Sequence, residues 1–539
     1  MFADARDFQQ PAVDADICVI GAGPAGITIA RNFAGSETRV LVLESGGLEF
    51  SRAAQNLAKG TNAGLQYEAL DLCRVRKFGG STGKMGWGGW CKPLNEQDLA
   101  LRPWVPMSGW PVTLQELQPY YLRALSTFDL PAYDFGPKEA ENRADDHNLR
   151  LTNTAVTVEE SLLAPATGYS LSGAATELQA ESNILVLLHG VATEITADPQ
   201  TRRVTGVEVK TLTGRTLSVS AQWVVLAAGG IENPRLLLQS NRQYPNGIGN
   251  THDLVGRCFM EHPRFSWGRL SSQAATGIIQ LFDPTTIVRQ RLSRGDATQP
   301  VVGRGLKLRS HVQQEDELLN ARTWIMRAPA SGESEGGREL KEAVFWLKKS
   351  RIPDAPIKRI AAIARDLPGA MRTALCHLRP PNHWQFVTIC EQEPILSSRV
   401  TLDAKRDALG LNAVRLEWHL GPMVERTLKR NQEIISTTLA QLGLDCSGGA
   451  GRGSSRHEAE SVRWVWHHMG TTRMGADPSQ GVVDRNCRVH GIKNLYVAGS
   501  SVFPTGGNDM PTLTIVALAH RLSDHLRDCM KMPDAVHCF

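Results

Sequence analysis

The sequence predicts an α/β protein of more than one domain, and three observations carry that expectation. The chain has 539 residues, more than one hydrophobic core ordinarily serves. Near its start, an apolar strand runs into three spaced glycines, then a helix, then a second apolar strand. A further strand–glycine–helix unit follows around residue 223.

The first unit, residues 14–47, reads DADICVIGAGPAGITIARNFAGSETRVLVLESGG. The strand at 17–20 ends in Gly21-Ala22-Gly23-Pro24-Ala25-Gly26, and the strand at 40–43 ends in Glu44. Gly21 permits a tight turn, Gly23 lets backbone approach a pyrophosphate, and Gly26 lets helix and strand pack closely. The helix N-terminus then offers free N–H groups and a positive dipole end to phosphate. Glu44 stands where an acidic side chain binds ribose hydroxyls, which favours FAD or NAD over NADP and does not separate the first two.

Residues 78–90, FGGSTGKMGWGGW, are too rich in glycine for a regular element. Trp87 and Trp90 argue against a solvated linker, so this loop is expected to pass close to a large flat ligand. Residues 183–195 read as strand, turn and strand. From residue 203 a hairpin-like meander leads to the strand 223–226, then Ala-Ala-Gly-Gly, then a helix over 234–238 with Pro234 near its start. Residues 494–507, NLYVAGSSVFPTGG, are again strand then small residues. WHHMGTTRMG at 466–475 carries His467 and His468.

Composition excludes some classes. An apolar fraction of 42% and a charged fraction of 21% fit a globular protein. A net charge of +4 does not imply nucleic acid. No run reaches the roughly 18 apolar residues of a membrane span, and the first residues lack the pattern of a secretory signal. Ten scattered cysteines without C-x-x-C predict reduced thiols in a cytoplasmic protein and no cysteine metal site. His467 and His468 are expected to bind no metal, since no third ligand stands at a sensible spacing. Residues 338–379 are helical in pattern and basic, and are expected to form a solvated helix over a sheet rather than a membrane-surface helix. Residues 447–456, SGGAGRGSSR, read as a linker.

In this order, GAGPAG…LVLES, FGGSTGKMGWGG, VVLAAGGIENPRLLL, FMEHP (259–263), EQEPILSSRVTL, HHMGTTRMG and NLYVAGSSVFPTGG…PTLT resemble the glucose–methanol–choline (GMC) flavoprotein oxidoreductases over nearly the whole chain. The nearest branch is the bacterial one oxidising sugars and polyols. The resemblance implies a Rossmann-like FAD-binding domain built from residues 12–100, 183–262 and 455–539. An inserted sheet-plus-helix substrate domain would take 101–182 and 263–454. It implies cofactor contacts at Gly21, Gly23, Pro24, Ala25, Gly26, Glu44 and Ser45. Further contacts fall at Gly80, Ser81, Trp87, Gly88 and Gly89 in the glycine loop, and at Val191, Ala228, Gly229, Gly499 and Ser500. Met510, Pro511 and Thr512 complete them at the last helix. The loop holds no histidine for a covalent link, so FAD is expected to be non-covalent.

The implied reaction oxidises an alcohol carbon of a sugar, aminocyclitol or related polyol. A base takes the hydroxyl proton and hydride passes to flavin N5, with the electron acceptor left open. The family's base opens an H-x-x-G-T pattern, which here is His467. A histidine is poised for this work near neutral pH. The family's second catalytic residue, Asn or His, falls at Met510, which has no N–H donor. Three readings follow: Asn508 or Asp509 reaches the site instead, His467 acts alone, or the protein has turned to lyase or other chemistry in natural-product biosynthesis. Asn508 or Asp509 is expected to cap the last helix, whose apolar positions 513, 515, 516, 518, 519, 522 and 526 form one buried face.

Overall fold

The computed structural model describes residues 1–82, 89–136, 151, 153–164, 173–270, 282–283, 301–328, 335–348, 356–378, 383–444, 446–447 and 462–531. Trp87, Gly88 and nearly all of the linker at 447–456 lie outside them.

The apolar strand before the glycine turn is Ala12–Ile20. It lies at the centre of an eight-stranded sheet. Val40–Glu44 pairs parallel to it on one side, Thr216–Leu226 on the other. Outward from Val40–Glu44 come Ile184–Leu188 and Phe2–Asp4, both parallel. Thr216–Leu226 is long enough to serve twice. Its first half pairs antiparallel with Arg203–Lys210, which pairs with Val191–Asp198; its last residues pair parallel with Leu495–Val497. The all-buried pattern of Val40–Glu44 fits a parallel strand covered on both faces.

A second, antiparallel sheet has the strand order Cys446–Ser447, Arg264–Leu270, His383–Cys390, Ala321–Ala328, Val301–Leu308, Val156–Leu163, Trp90–Cys91. The helix Pro422–Gln441 buries Ile434, Ile435 and Leu439 against it. A small sheet of Arg399–Arg406, Asn412–Trp418 and Gly60–Gly64 lies apart from both.

The last helix is Thr512–Lys531. Leu513, Val516, Leu518, Ala519, Leu522 and Leu526 are buried as their spacing predicts, with Ile515 partly covered. Its start differs from the expectation. It begins at Thr512, so neither Asn508 nor Asp509 caps it, and the Asp509 carboxylate accepts instead from the adjacent Met510 N–H at 2.8 Å.

The helix after Leu226 also differs. It runs Gly229–Gln239, with Pro234 in its interior rather than near its start. Pro234 has no N–H to give the Gly230 carbonyl one turn back. That carbonyl accepts from the Thr471 hydroxyl at 2.6 Å, and Thr471 is fully buried. The same contact docks the helix on the segment bearing the two histidines: a Cβ on Gly230 would lie 2.3 Å from the His468 carbonyl oxygen. Thr471→Val is expected to cost about 1–2 kcal/mol in a denaturant melt, from the stranded buried carbonyl. The cost should shrink in a Pro234→Ala background, where a backbone N–H can take over.

Two further expectations change. Among the described residues six cysteines are free and buried, but Cys529 is disulfide-bonded, so not all thiols are reduced. The basic segment forms the helices Glu335–Lys348, Pro356–Arg365 and Leu367–Leu378. These pack mainly on one another, not over the antiparallel sheet. No helix among the described residues is long and apolar enough to cross a membrane.

Candidate active site

The carboxyl ends of the parallel strands Ala12–Ile20, Val40–Glu44 and Thr216–Leu226 open onto a cleft of about 380 Å³. This is where open α/β sheets bind ligands. The turn after Ile20 is fixed by contact. Gly21 has φ +109°, and a Cβ on it would lie 2.6 Å from the Ala227 carbonyl oxygen. A Cβ on Gly26 would lie 1.9 Å from the Gly21 carbonyl oxygen. Gly26 and Ala25 are therefore packing residues behind the turn, while Gly23 and Pro24 line the cleft. No side chain caps the helix Pro24–Asn32, leaving its first-turn N–H groups to an anion.

Glu44 and Ser45 line the cleft beside this turn. The Glu44 carboxylate accepts from Ala22 N at 3.1 Å, Gly46 N at 2.8 Å and Ser45 Oγ at 3.2 Å. A carboxylate has roughly four acceptor positions, so it is fixed in place with capacity left for a hydroxyl. Gly80 and Ser81, Val191, Ala228 and Gly229, and Ser500 also line the cleft. Gly499 does not; at φ +108° it turns the chain so that Ser500 does. Gly89 is also away from it, its carbonyl held by Ala164 N at 2.9 Å.

Sequence reasoning missed a charged wall. Arg74, Arg76 and Arg235 surround Glu232, and Arg235 also pairs with Asp407 at 2.7 Å. Burial alone would raise the Glu232 carboxyl, but Arg76, Arg235 and Arg74 hold it well below its usual range. Three cations against two carboxylates leave a positive excess on the lining, the sign a diphosphate needs. The glycine cradle, the uncapped helix, the fixed carboxylate and this wall together fit a dinucleotide.

At the other end of the cleft stands His467, 23% exposed. Its Nδ1 lies 2.9 Å from Nδ1 of His262, with the rings nearly perpendicular. The fully buried His262 presents Nε2 to the carbonyl oxygens of Gly507 at 2.9 Å and Gly506 at 3.3 Å. Carbonyls only accept, so the proton of His262 sits on Nε2. Burial lowers the pKa of His262 and keeps it neutral, so its Nδ1 is an acceptor. His467 therefore donates from Nδ1, and its Nε2 carries a lone pair. Among the described residues that nitrogen has no hydrogen-bond partner. Burial first, then the neighbouring His262 and His468, push the pKa of His467 well below its ordinary value. The ring is neutral at pH 7 and able to take a proton.

Behind the pair lies Glu261. Its Oε1 accepts from the backbone N–H groups of His262 and His467, both at 2.8 Å, and Tyr67 donates to its Oε2 at 2.6 Å. Burial raises its carboxyl to about 7 against those hydrogen bonds. His468 is turned the other way, with Nε2 3.0 Å from the Tyr67 hydroxyl. Burial lowers it to about 3, so it is a neutral packing residue. The third group near His467 is thus not sequence-local. His262, His467 and Asp509 come within 4.8 Å of one another by their ligating atoms. That overturns the reason given for excluding a metal, although the 2.9 Å nitrogen–nitrogen distance is that of a hydrogen bond. The FMEHP motif was visible in the sequence, but nothing local joined it to His467.

The 508–512 stretch divides its side chains. Asn508 is fully buried and donates to Glu159 Oε2 at 2.9 Å on the antiparallel sheet, away from the histidines. Asp509 Oδ1 lies 3.8 Å from His467 Nδ1. Met510, at φ +58°, does not line the cleft as expected; it packs with Trp324, Val387 and Ile389. Pro511 and Thr512 do line it, so the positive end of the last helix faces the cleft. Met510→Asn is expected to lose about 2 kcal/mol by placing an amide in that apolar cluster. Substrate-driven flavin reduction should not speed up, and a faster rate in the same assay would contradict this placement.

Two family models described as GMC oxidoreductase match residues 170–264 and 394–519. A 2-methyl-1,2-propanediol dehydrogenase of Mycolicibacterium austroafricanum is 26% identical over 59% of this chain and 50% of its own length. A paromamine 6'-oxidase of Streptomyces fradiae is 26% identical over 57% of this chain and 46% of its own. The chain thus spans about half the length of the curated relatives it matches. A solved formate oxidase from Aspergillus oryzae RIB40, in a variant examined for FAD modification, shares the fold at TM-score 0.57 and 16% identity, covering 98% of this chain and 100% of that one.

Proposed function

Since the chain belongs to the GMC oxidoreductase family, we propose that it is an FAD-dependent enzyme oxidising an alcohol carbon of a sugar, aminocyclitol or related polyol. The observation that carries this reading is the directed histidine pair: His262 fixes the proton of His467 on Nδ1 and leaves Nε2 as a base at the cleft. The names of the relatives, a propanediol dehydrogenase and a paromamine oxidase, support the substrate class.

Glu44 would hold a ribose, and the turn at Gly23 and Pro24 the diphosphate. The N-terminus of Thr512–Lys531 would stand by the flavin ring. With no histidine in residues 78–90, the FAD would be held non-covalently. When bound, the flavin would accept the hydride leaving the alcohol carbon. The protein's part is proton transfer and charge. His467 Nε2 takes the hydroxyl proton, and the resulting imidazolium keeps its Nδ1–H on His262. Asp509 at 3.8 Å lowers the energy of that charge. The positive end of the last helix favours negative charge gathering on the ring beside it. On the same reading, residues 12–100, 183–262 and 455–539 form the FAD-binding domain, and 101–182 and 263–454 the substrate domain.

A second reading, lyase or other non-standard chemistry in natural-product biosynthesis, draws on Met510, which brings no polar atom to the cleft. Anaerobic mixing of the FAD-loaded protein with a panel of sugars, aminocyclitols and polyols separates the two. Flavin bleaching by a member of the panel supports alcohol oxidation. Bleaching by dithionite alone overturns it in favour of the second reading.

A further inference from the structure

We propose that the outer face of the helices Pro356–Arg365 and Leu367–Leu378 docks on an anionic lipid surface. Five of the fourteen large apolar side chains exposed among the described residues fall in this one short stretch, so they are not random scatter. Ile357 and Ile360 lie three apart on the first helix, and Leu367, Met371 and Leu375 four apart on the second. Each set is therefore a stripe on one side of its helix. All five are between 53% and 82% exposed. The opposite sides are packed inward, with Ala362 and Ala370 buried.

Charge chooses the occupant. Residues 356–378 contain Lys358, Arg359, Arg365 and Arg372 against a single acid, Asp366. Asp366 is turned into the fold, where its carboxylate accepts from Gly336 N at 2.8 Å and Gly369 N at 3.1 Å. The bond from Gly369 N also ties the start of the second helix to the turn between the helices. Arg359 pairs with Glu339 of the neighbouring helix, while Arg365 and Arg372 are exposed. A second copy of the chain would bring the same positive excess against itself. A protein interface usually excludes charge from its apolar centre, but here Arg365 follows the first stripe directly and Arg372 adjoins Met371. Lipid accommodates that mixture: apolar side chains enter below the headgroups while guanidinium groups remain among the phosphates.

The test is flotation of the FAD-loaded protein with phosphatidylcholine vesicles containing roughly one-third phosphatidylglycerol, against pure phosphatidylcholine. Binding is expected to be at least about tenfold greater on the anionic vesicles and to fall at high salt. The triple variant Ile357→Asp, Ile360→Asp, Met371→Asp should lose about tenfold of it with FAD content and activity unchanged. Equal binding to both vesicles, or undiminished binding by the variant, overturns the proposal. So does a concentration-dependent dimer in sedimentation that the same substitutions abolish, which would assign the face to a second copy.

Discussion

His467→Ala is expected to slow flavin reduction by substrate about 10²–10⁴-fold, the usual contribution of a positioned base, while FAD stays bound. The substitution removes the cleft's neutral ring and leaves the cradle at Gly21 and Glu44 untouched. The loss should appear in the reductive half-reaction, followed anaerobically by the bleaching of the flavin. In the wild-type protein burial holds the pKa of His467 well below 6.5, with His262 and His468 adding to it. The base form therefore dominates at pH 7, and the rate should stay flat as pH falls through 6.5, declining only at lower pH as the ring protonates. A wild-type rate falling away near pH 7 would place the working group elsewhere. An unchanged rate in the alanine variant would do the same.

His262→Leu should cost roughly 10²-fold or more in the same assay, as expected of a base left in the wrong tautomer. His262 need not touch the substrate; it is a positioning residue, acting through the 2.9 Å bond to His467. Leucine offers no acceptor for the His467 Nδ1 proton and no donor for the carbonyls of Gly506 and Gly507. The proton can then move to Nε2 and block the base. His262→Gln provides a distinguishing readout, since an amide oxygen can accept from His467 while its NH₂ donates to the carbonyls. Recovery of at least about tenfold of the lost rate is expected from glutamine. A merely structural role would predict equal losses for leucine and glutamine.

How much of this was legible follows from distance along the chain. The strand–turn–helix unit ending at Glu44 was, because a tight turn, a helix start and a buried acidic residue all lie within residues 21–44 and each demands a particular residue type. The buried face of the last helix was, because its spacing repeats with the helical period. The histidine network was not. It joins Tyr67, Glu261, His262, His467 and the carbonyls of 506 and 507, which only the tertiary fold brings together. Pro234 misled for a related reason: its missing N–H argues for a helix start, and the hydroxyl that makes an interior position tolerable comes from Thr471. Met510 stood where the family pattern places a polar partner, but its positive φ and the apolar cluster around Trp324 direct the side chain away. Asp509, not 510, is the member of that turn near His467. The basic helices were legible as amphipathic; which of their faces would be covered was not.

The histidine tautomers test the central claim most directly. Nitrogen-15 resonances of histidine-labelled protein, assigned by difference with His467→Ala, report which ring nitrogen bears the proton. At pH 7 a neutral His467 with the proton on Nδ1 and a bare Nε2 is expected. A proton on Nε2, or an imidazolium at that pH, would contradict it.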